Sequence, residues 1–250
     1  MVWDALPQEI SDFCAALRRV PETERTADVL AGLQGAFNTT WRSGRTVRSG
    51  AGIPIPPPRN KAIFPRACAI DDAELSFIFA LGDSIEKDLF PARCDFQVKV
   101  SGVAIYKDSV LVELQDHWRV DTYIEPKPAT AGIGAPREPH PLIHFQRGGH
   151  AQDAFAGHEL FVPGDGLGEG EWRSLLQSPG PRVPFPPFCP VLAIDYAIGQ
   201  HDGNVHRKLR AIPEYTTEVQ RAQTRLWEPF FAAMATSAAL RKRWLGSMLL

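Results

Sequence analysis

His140, His144, His150 and His158 crowd one stretch of the chain, interleaved with Asp153 and Glu159. Neutral imidazole is a good ligand for zinc or iron, and a carboxylate can complete the shell. His140 and His144 are four apart, so on a strand their side chains share a face. His117 joins that face if its own strand pairs in register. The spacing matches no known ligand signature, however, and His140 lies between Pro139 and Pro141, where it can simply end a strand. Surface and loop histidines explain the same pattern, and the reading adopted is that no metal and no cofactor is held.

A second set of candidates is acidic. Asp95 opens one alternating stretch, and Glu113-Leu114-Gln115 lies on the next, with both polar groups on one face. In outline this resembles the core of metal-dependent nucleases of the restriction-endonuclease type. There, two carboxylates hold Mg²⁺ and a third residue orients the attacking water. Glu125-Pro126-Lys127 spells a related triplet, but the central proline argues against a regular strand. An ordinary amphipathic strand accounts for Asp95, Glu113 and Gln115 as well. They stand as the alternative, a metal-dependent hydrolase or nuclease acting on nucleic acid.

The third set is basic. Between Val29 and Ile70 there is no Asp or Glu, yet Arg42, Arg45, Arg48, Arg59, Lys61 and Arg66 are all present, with Trp41 and Phe64 among them. The whole chain carries a net charge of −2, so this segment runs against the rest. Such an arm suits docking on an acidic protein surface, and it could also contact phosphates and stack on bases. A solvated loop with locally paired arginines is the bland reading. A protein partner is the first expectation and nucleic acid the second.

Other motifs carry less. The alternating acidic loop 164–171 lacks the full spacing of a calcium-binding EF-hand. His201-Asp202 followed by His206 hints at a phosphohydrolase dyad but reads more simply as a helix end. Nothing spells a phosphate-binding P-loop, a dinucleotide fingerprint, a Gly-x-Ser-x-Gly elbow or a kinase set. The four cysteines (Cys14, Cys68, Cys94, Cys189) make no CxxC pair, which speaks against a thiolate zinc site. Scattered cysteines, no export pattern after Met1 and no run of about 18 apolar residues lead to the expectation of a cytoplasmic protein without a membrane span.

The elements that must position these groups begin with residues 110–125, which alternate apolar and polar almost without error. Val110, Val112, Leu114, Trp118 and Val120 fall on one face; Glu113, Gln115, His117, Arg119 and Asp121 fall on the other. Period 2 over that length predicts a strand of an antiparallel sheet, with Trp118 in the core. Residues 95–106 and 141–146 read the same way. Helical spacing predicts helices over 7–20, 22–37, 191–201, 216–235 and 237–250, with Pro229 kinking the fourth or starting a helix. Residues 72–89 read as helical, although their 75–81 half also fits a buried strand. The stretch 38–66, rich in Gly, Ser and Pro, reads as a loop or extended arm. Hydrophobic content of 44% supports a sizeable core. Helices, then an antiparallel sheet, then helices predict a single α+β domain over 1–250, with the basic arm at 38–66 and a C-terminal helical segment at 191–250.

Four stretches carry a family resemblance: His140-Pro141-Leu142-Ile143-His144-Phe145-Gln146, Pro181-Arg182-Val183-Pro184-Phe185-Pro186-Pro187, Leu192-Ala193-Ile194-Asp195-Tyr196 and Gln223-Thr224-Arg225-Leu226-Trp227-Glu228-Pro229-Phe230. They resemble bacterial proteins of unknown function associated with anti-phage and mobile-element gene clusters. The likeness covers the C-terminal half. It implies a bacterial, cytosolic setting and a part in a multiprotein system, and it brings no catalytic residues. The expected function is accordingly that of an accessory or adaptor protein.

Overall fold

The computed structural model describes residues 3–40, 46–49, 51–59, 68–81, 91–106, 110–122, 141–147, 172–174 and 183–245. The chain opens with α1 (Leu6–Leu17), a 3₁₀ turn (Pro21–Thr23), α2 (Glu24–Gly32) and α3 (Gln34–Thr40). Strands follow: β1 (Thr46–Arg48), β2 (Ile53–Pro54), β3 (Cys68–Ala80), β4 (Arg93–Tyr106), β5 (Val110–Thr122), β6 (Ile143–Arg147), β7 (Trp172–Ser174) and β8 (Val183–Pro184). The chain returns to helix in α4 (Pro190–His201), α5 (Gly203–Arg210), α6 (Pro213–Thr236) and α7 (Ala238–Leu245). This is the α+β fold that the patterning predicts.

Six strands run in the order β1-β3-β4-β5-β6-β8, with β2 on β3 and β7 on β5. Every pairing is antiparallel except that of β7 with β5. Alternation sorts the two faces. Phe77, Phe79, Cys94, Phe96, Val98, Trp118 and Val120 are buried on one of them. Against that face pack helix α4 and the segments that lead into α1 and α4: Trp118 meets Tyr196 of α4 at 5.8 Å, Phe96 meets Phe188 at 5.1 Å, and Phe79 meets Trp3 at 5.6 Å between ring centroids. Helix α4 is buried nearly all round, as a helix apolar on every side must be.

Four expectations need correction. Of residues 72–89, read as helical with a strand alternative for 75–81, residues 72–80 are strand, with Ala73, Leu75, Phe77 and Phe79 buried at period 2, and 82–89 lie outside the described residues. Leu75, Ile78 and Phe79 also satisfy helical spacing, which is why the pattern misleads. The stretch predicted as one helix over 22–37 is instead a 3₁₀ turn and two helices, broken near Leu33. Helix α5 has no counterpart in the prediction, and its start is set by Asp202, whose side chain caps the N–H groups of Asn204 and Val205. Finally, the segment 38–66 is not wholly a loop. Val47, Ile53 and Ile55 are buried, Ile55 N–H donates to the Ala73 carbonyl at 2.9 Å, and β1 and β2 edge the sheet. Pro229 lies inside α6.

Candidate functional site

The second face of the sheet is polar, and its groups are placed by register. Starting at the edge, Arg48 of β1 pairs with Ile78 of β3, Ile78 with Asp95 of β4, and Asp121 of β5 with His144 of β6. The β4–β5 ladder, which pairs Phe96 with Val120, brings Asp95 beside Asp121. Two residues further along the strands, on the same face, Gln97 stands opposite Arg119, and Arg119 opposite Gln146. These groups surround an open depression of about 580 Å³ whose lining includes Arg48, Ser76, Arg93, Asp95, Arg119 and His144. That volume falls within the roughly 300–1,000 Å³ of small-ligand sites.

Two strand pairs set its electrostatics. Arg93 Nε donates to Asp95 Oδ2, and Arg119 Nε lies 2.6 Å from Asp121 Oδ2. Each pair joins residues i and i+2, which alternation puts on one face. The Arg119 contact is off the N–H direction, so Nε finds no hydrogen-bond acceptor and the pair is held by charge alone. Arg119 Nη2 donates to Gln146 Oε1 at 3.0 Å. Asp95 Oδ1 accepts the Thr122 N–H at 2.7 Å. Gln97 donates to Ser76 Oγ at 3.0 Å and shares a hydrogen bond with His117 Nε2 at 3.2 Å.

The residues singled out from the sequence meet this geometry unevenly. Asp95 lines the depression, but Gln115 is registered on Ser101 and Glu113 on Val103. At about 3.3 Å per residue they stand about 20 and 26 Å along the strands from Asp95. The nuclease triad is therefore not assembled. His117 and His144 share the polar face, about 13 Å apart along the strands by the same measure. His144 Nδ1 donates to the Pro141 carbonyl at 3.2 Å. Position 140 is outside the described residues, and among the described residues no three His, Cys, Asp or Glu side chains are grouped to hold a metal. Of the basic arm, Arg48 is exposed at the rim of the depression, while Arg59 is exposed near Asp202, with 3.5 Å between Nε and Oδ2. Arg42, Arg45, Lys61 and Arg66 lie outside the described residues.

The helical layer holds a second polar cluster that sequence reasoning passed over. Asp195 of α4 accepts from Arg210 Nη2 at 2.6 Å and from Tyr215 Oη at 2.9 Å, with His206 Nε2 at 3.1 Å. Burial, then the Asp195 carboxylate, holds the Tyr215 phenol well above its ordinary value. Tyr215 is fully buried, so this cluster clamps α4, α5 and α6 together rather than meeting a substrate. Arg93-x-Asp95 and Arg119-x-Asp121 were also overlooked as pairs, although same-face spacing on a strand was the signal that could have found them.

No helix among the described residues is long and apolar enough to cross a membrane. Comparison of the chain with protein-family models, with curated proteins and with solved structures finds no match.

Proposed function

We propose that the protein is an accessory protein that binds an acidic segment of a partner protein at the polar sheet face. One observation carries this reading. The basic arm and the polar face are separate features of the sequence, and among the described residues they meet where Arg48 on β1 joins Arg93 and Arg119 around the depression. Among the described residues of the lining, three guanidinium groups against two carboxylates, Asp95 and Asp121, leave a positive surplus on a chain of net charge −2. Positive patches of this kind steer and orient acidic partners. The bacterial multiprotein setting, defence systems included, comes from the family resemblance alone. For the hydrolase alternative, the separation of Asp95 from Glu113 and Gln115 removes the carboxylate grouping it drew on.

Fluorescence anisotropy with a labelled oligo-glutamate peptide tests the proposal, with labelled single-stranded DNA as the competing partner class. Wild-type protein should bind the peptide, more weakly as salt rises. The double change Arg48→Ser with Arg93→Ser should weaken binding at least about tenfold, since charge-assisted hydrogen bonds are among the strong ones. Tighter binding of DNA, or peptide binding untouched by the double change, would overturn it.

A further inference from the structure

We infer that the sheet-face depression is a carboxylate-selective site that takes one monoanionic group. This deepens the accessory reading and rests on it for the identity of the partner. The argument is an inventory of hydrogen-bonding capacity. Most of the acceptors around the depression are already engaged. Asp95 Oδ1 takes the Thr122 N–H and Oδ2 takes Arg93; Ser49 Oγ takes the Phe77 N–H at 2.8 Å; Ser76 Oγ takes Gln97. Asp121 faces Arg119.

The donors are not. A guanidinium has five N–H groups. Arg93 spends its Nε on Asp95, and among the described residues nothing takes its other N–H groups. No described residue accepts from Arg48. The hydroxyl hydrogens of Ser49 and Ser76 remain available as well, because both oxygens act as acceptors toward the protein. A lining that is short of acceptors and rich in donors calls for a ligand that is all acceptor, which is an oxyanion. The Nε contact with Asp95 also orients the Arg93 fork, and such a fork matches a carboxylate or phosphate in bidentate fashion.

Charge decides between those two. Among the described residues that line it, Arg48, Arg93 and Arg119 against Asp95 and Asp121 leave one net positive charge. A carboxylate neutralises it. A phosphate near its second ionisation brings up to two negative charges against two resident aspartates and leaves the site negative. The depression is far larger than one carboxylate, so the group is carried by something bigger: the side chain of an acidic residue, or a chain terminus.

Ligand-observed NMR on the full chain separates these sources with four probes. N-acetylglutamate α-amide offers only a side-chain carboxylate, N-acetylglutamine only a terminal one, N-acetylglutamine amide offers neither, and inorganic phosphate is the rival anion. One of the two carboxylates should bind at least about tenfold more tightly than phosphate, with the neutral amide silent. Arg48→Ser, a change at an exposed edge position, should weaken that binding at least about tenfold without lowering thermal stability, and Arg93→Ser should act likewise. Phosphate binding more tightly than both carboxylates would overturn the inference, and so would carboxylate binding that both variants retain. If the oligo-glutamate peptide binds through these arginines while neither small carboxylate does, the inference falls and the accessory reading stands. Binding of a small carboxylate without the peptide would leave the carboxylate site standing and remove the accessory reading.

Discussion

His201 shows how a single side chain can tie the basic arm to the helices. It ends α4, is buried, and donates from Nδ1 to the Pro56 carbonyl at 3.1 Å, while its own carbonyl accepts the Arg59 N–H at 3.0 Å. Its ring stands edge-on to Trp118, 6.4 Å between centroids. Burial lowers its pKa below the ordinary 6.5, with the Pro56 carbonyl and Asp116 pulling the other way. The unfolded chain therefore takes up this proton first as pH falls. Stability is fully present above about pH 6.5 and is lost as pH drops from there through the folded value. The melting temperature should consequently fall between about pH 7.5 and about pH 5.5, and fall less in His201→Gln; parallel curves for the two proteins would show that another group is responsible. The thiols obey the same rule of burial. Desolvation pushes Cys94 up to about 12 and Cys14 up to about 11, so neither is a nucleophile at neutral pH.

At the scale of elements, the sheet depends on one glycine. Gly102 of β4 pairs with Ile70 of β3 just where the register shifts between Ile70 and Asp72. A Cβ at that position would clash with the Ala69 carbonyl oxygen and sit 3.0 Å from the Ile70 Cα. Both are backbone atoms of the neighbouring strand, so neither can swing aside as a flexible side chain would. Gly102→Ala should cost about 1–3 kcal/mol in a denaturant melt, the usual range for overpacking, and should spread the two strands at the bulge. An unchanged midpoint would mean that the strands are not this close. Strands β1, β4 and β5 place Arg48, Arg93 and Arg119 about one depression, so slippage by one residue would turn those arginines into the core.

Over the whole molecule, the two ends of the chain are locked by one buried ion pair. Arg225 of α6 donates from Nη1 to Glu9 of α1, both nearly inaccessible, and its guanidinium lies 4.6 Å over the Trp3 ring. Nε and Nη2 of Arg225 find no hydrogen-bond acceptor among the described residues, so the indole face offsets part of their desolvation. Phe13 of α1 stacks on Tyr215 of α6 at 5.0 Å beside it. Removing one partner strands a buried charge: Arg225→Met alone should destabilise the protein by about 3–5 kcal/mol in equilibrium unfolding. Glu9→Leu together with Arg225→Met should recover most of that loss. A double variant as unstable as the single one would show that the pair contributes more than the charge of its own atoms.

Periodicity in the sequence determined the parts that are local. Alternation from Leu114 to Val120 needs only the pleat of a strand, and the amphipathic stretch of α1 needs only helical spacing, so the α+β class and the core role of Trp118 were legible. The single polar face was legible for the same reason. Register was not, because alternation tells which face a residue takes and says nothing about which residue on the next strand it meets. Asp95, Glu113 and Gln115 share a face yet stand apart along the strands, while Arg48, distant in sequence, arrives beside Arg93 and Arg119 through the pairing of β1 with β3. Residues 72–80 satisfied two periods at once, and the partners β1, β2 and β4 decided for strand. Which charges converge is a property of strand pairing, and strand pairing is settled by long-range contacts that leave no local mark on the chain.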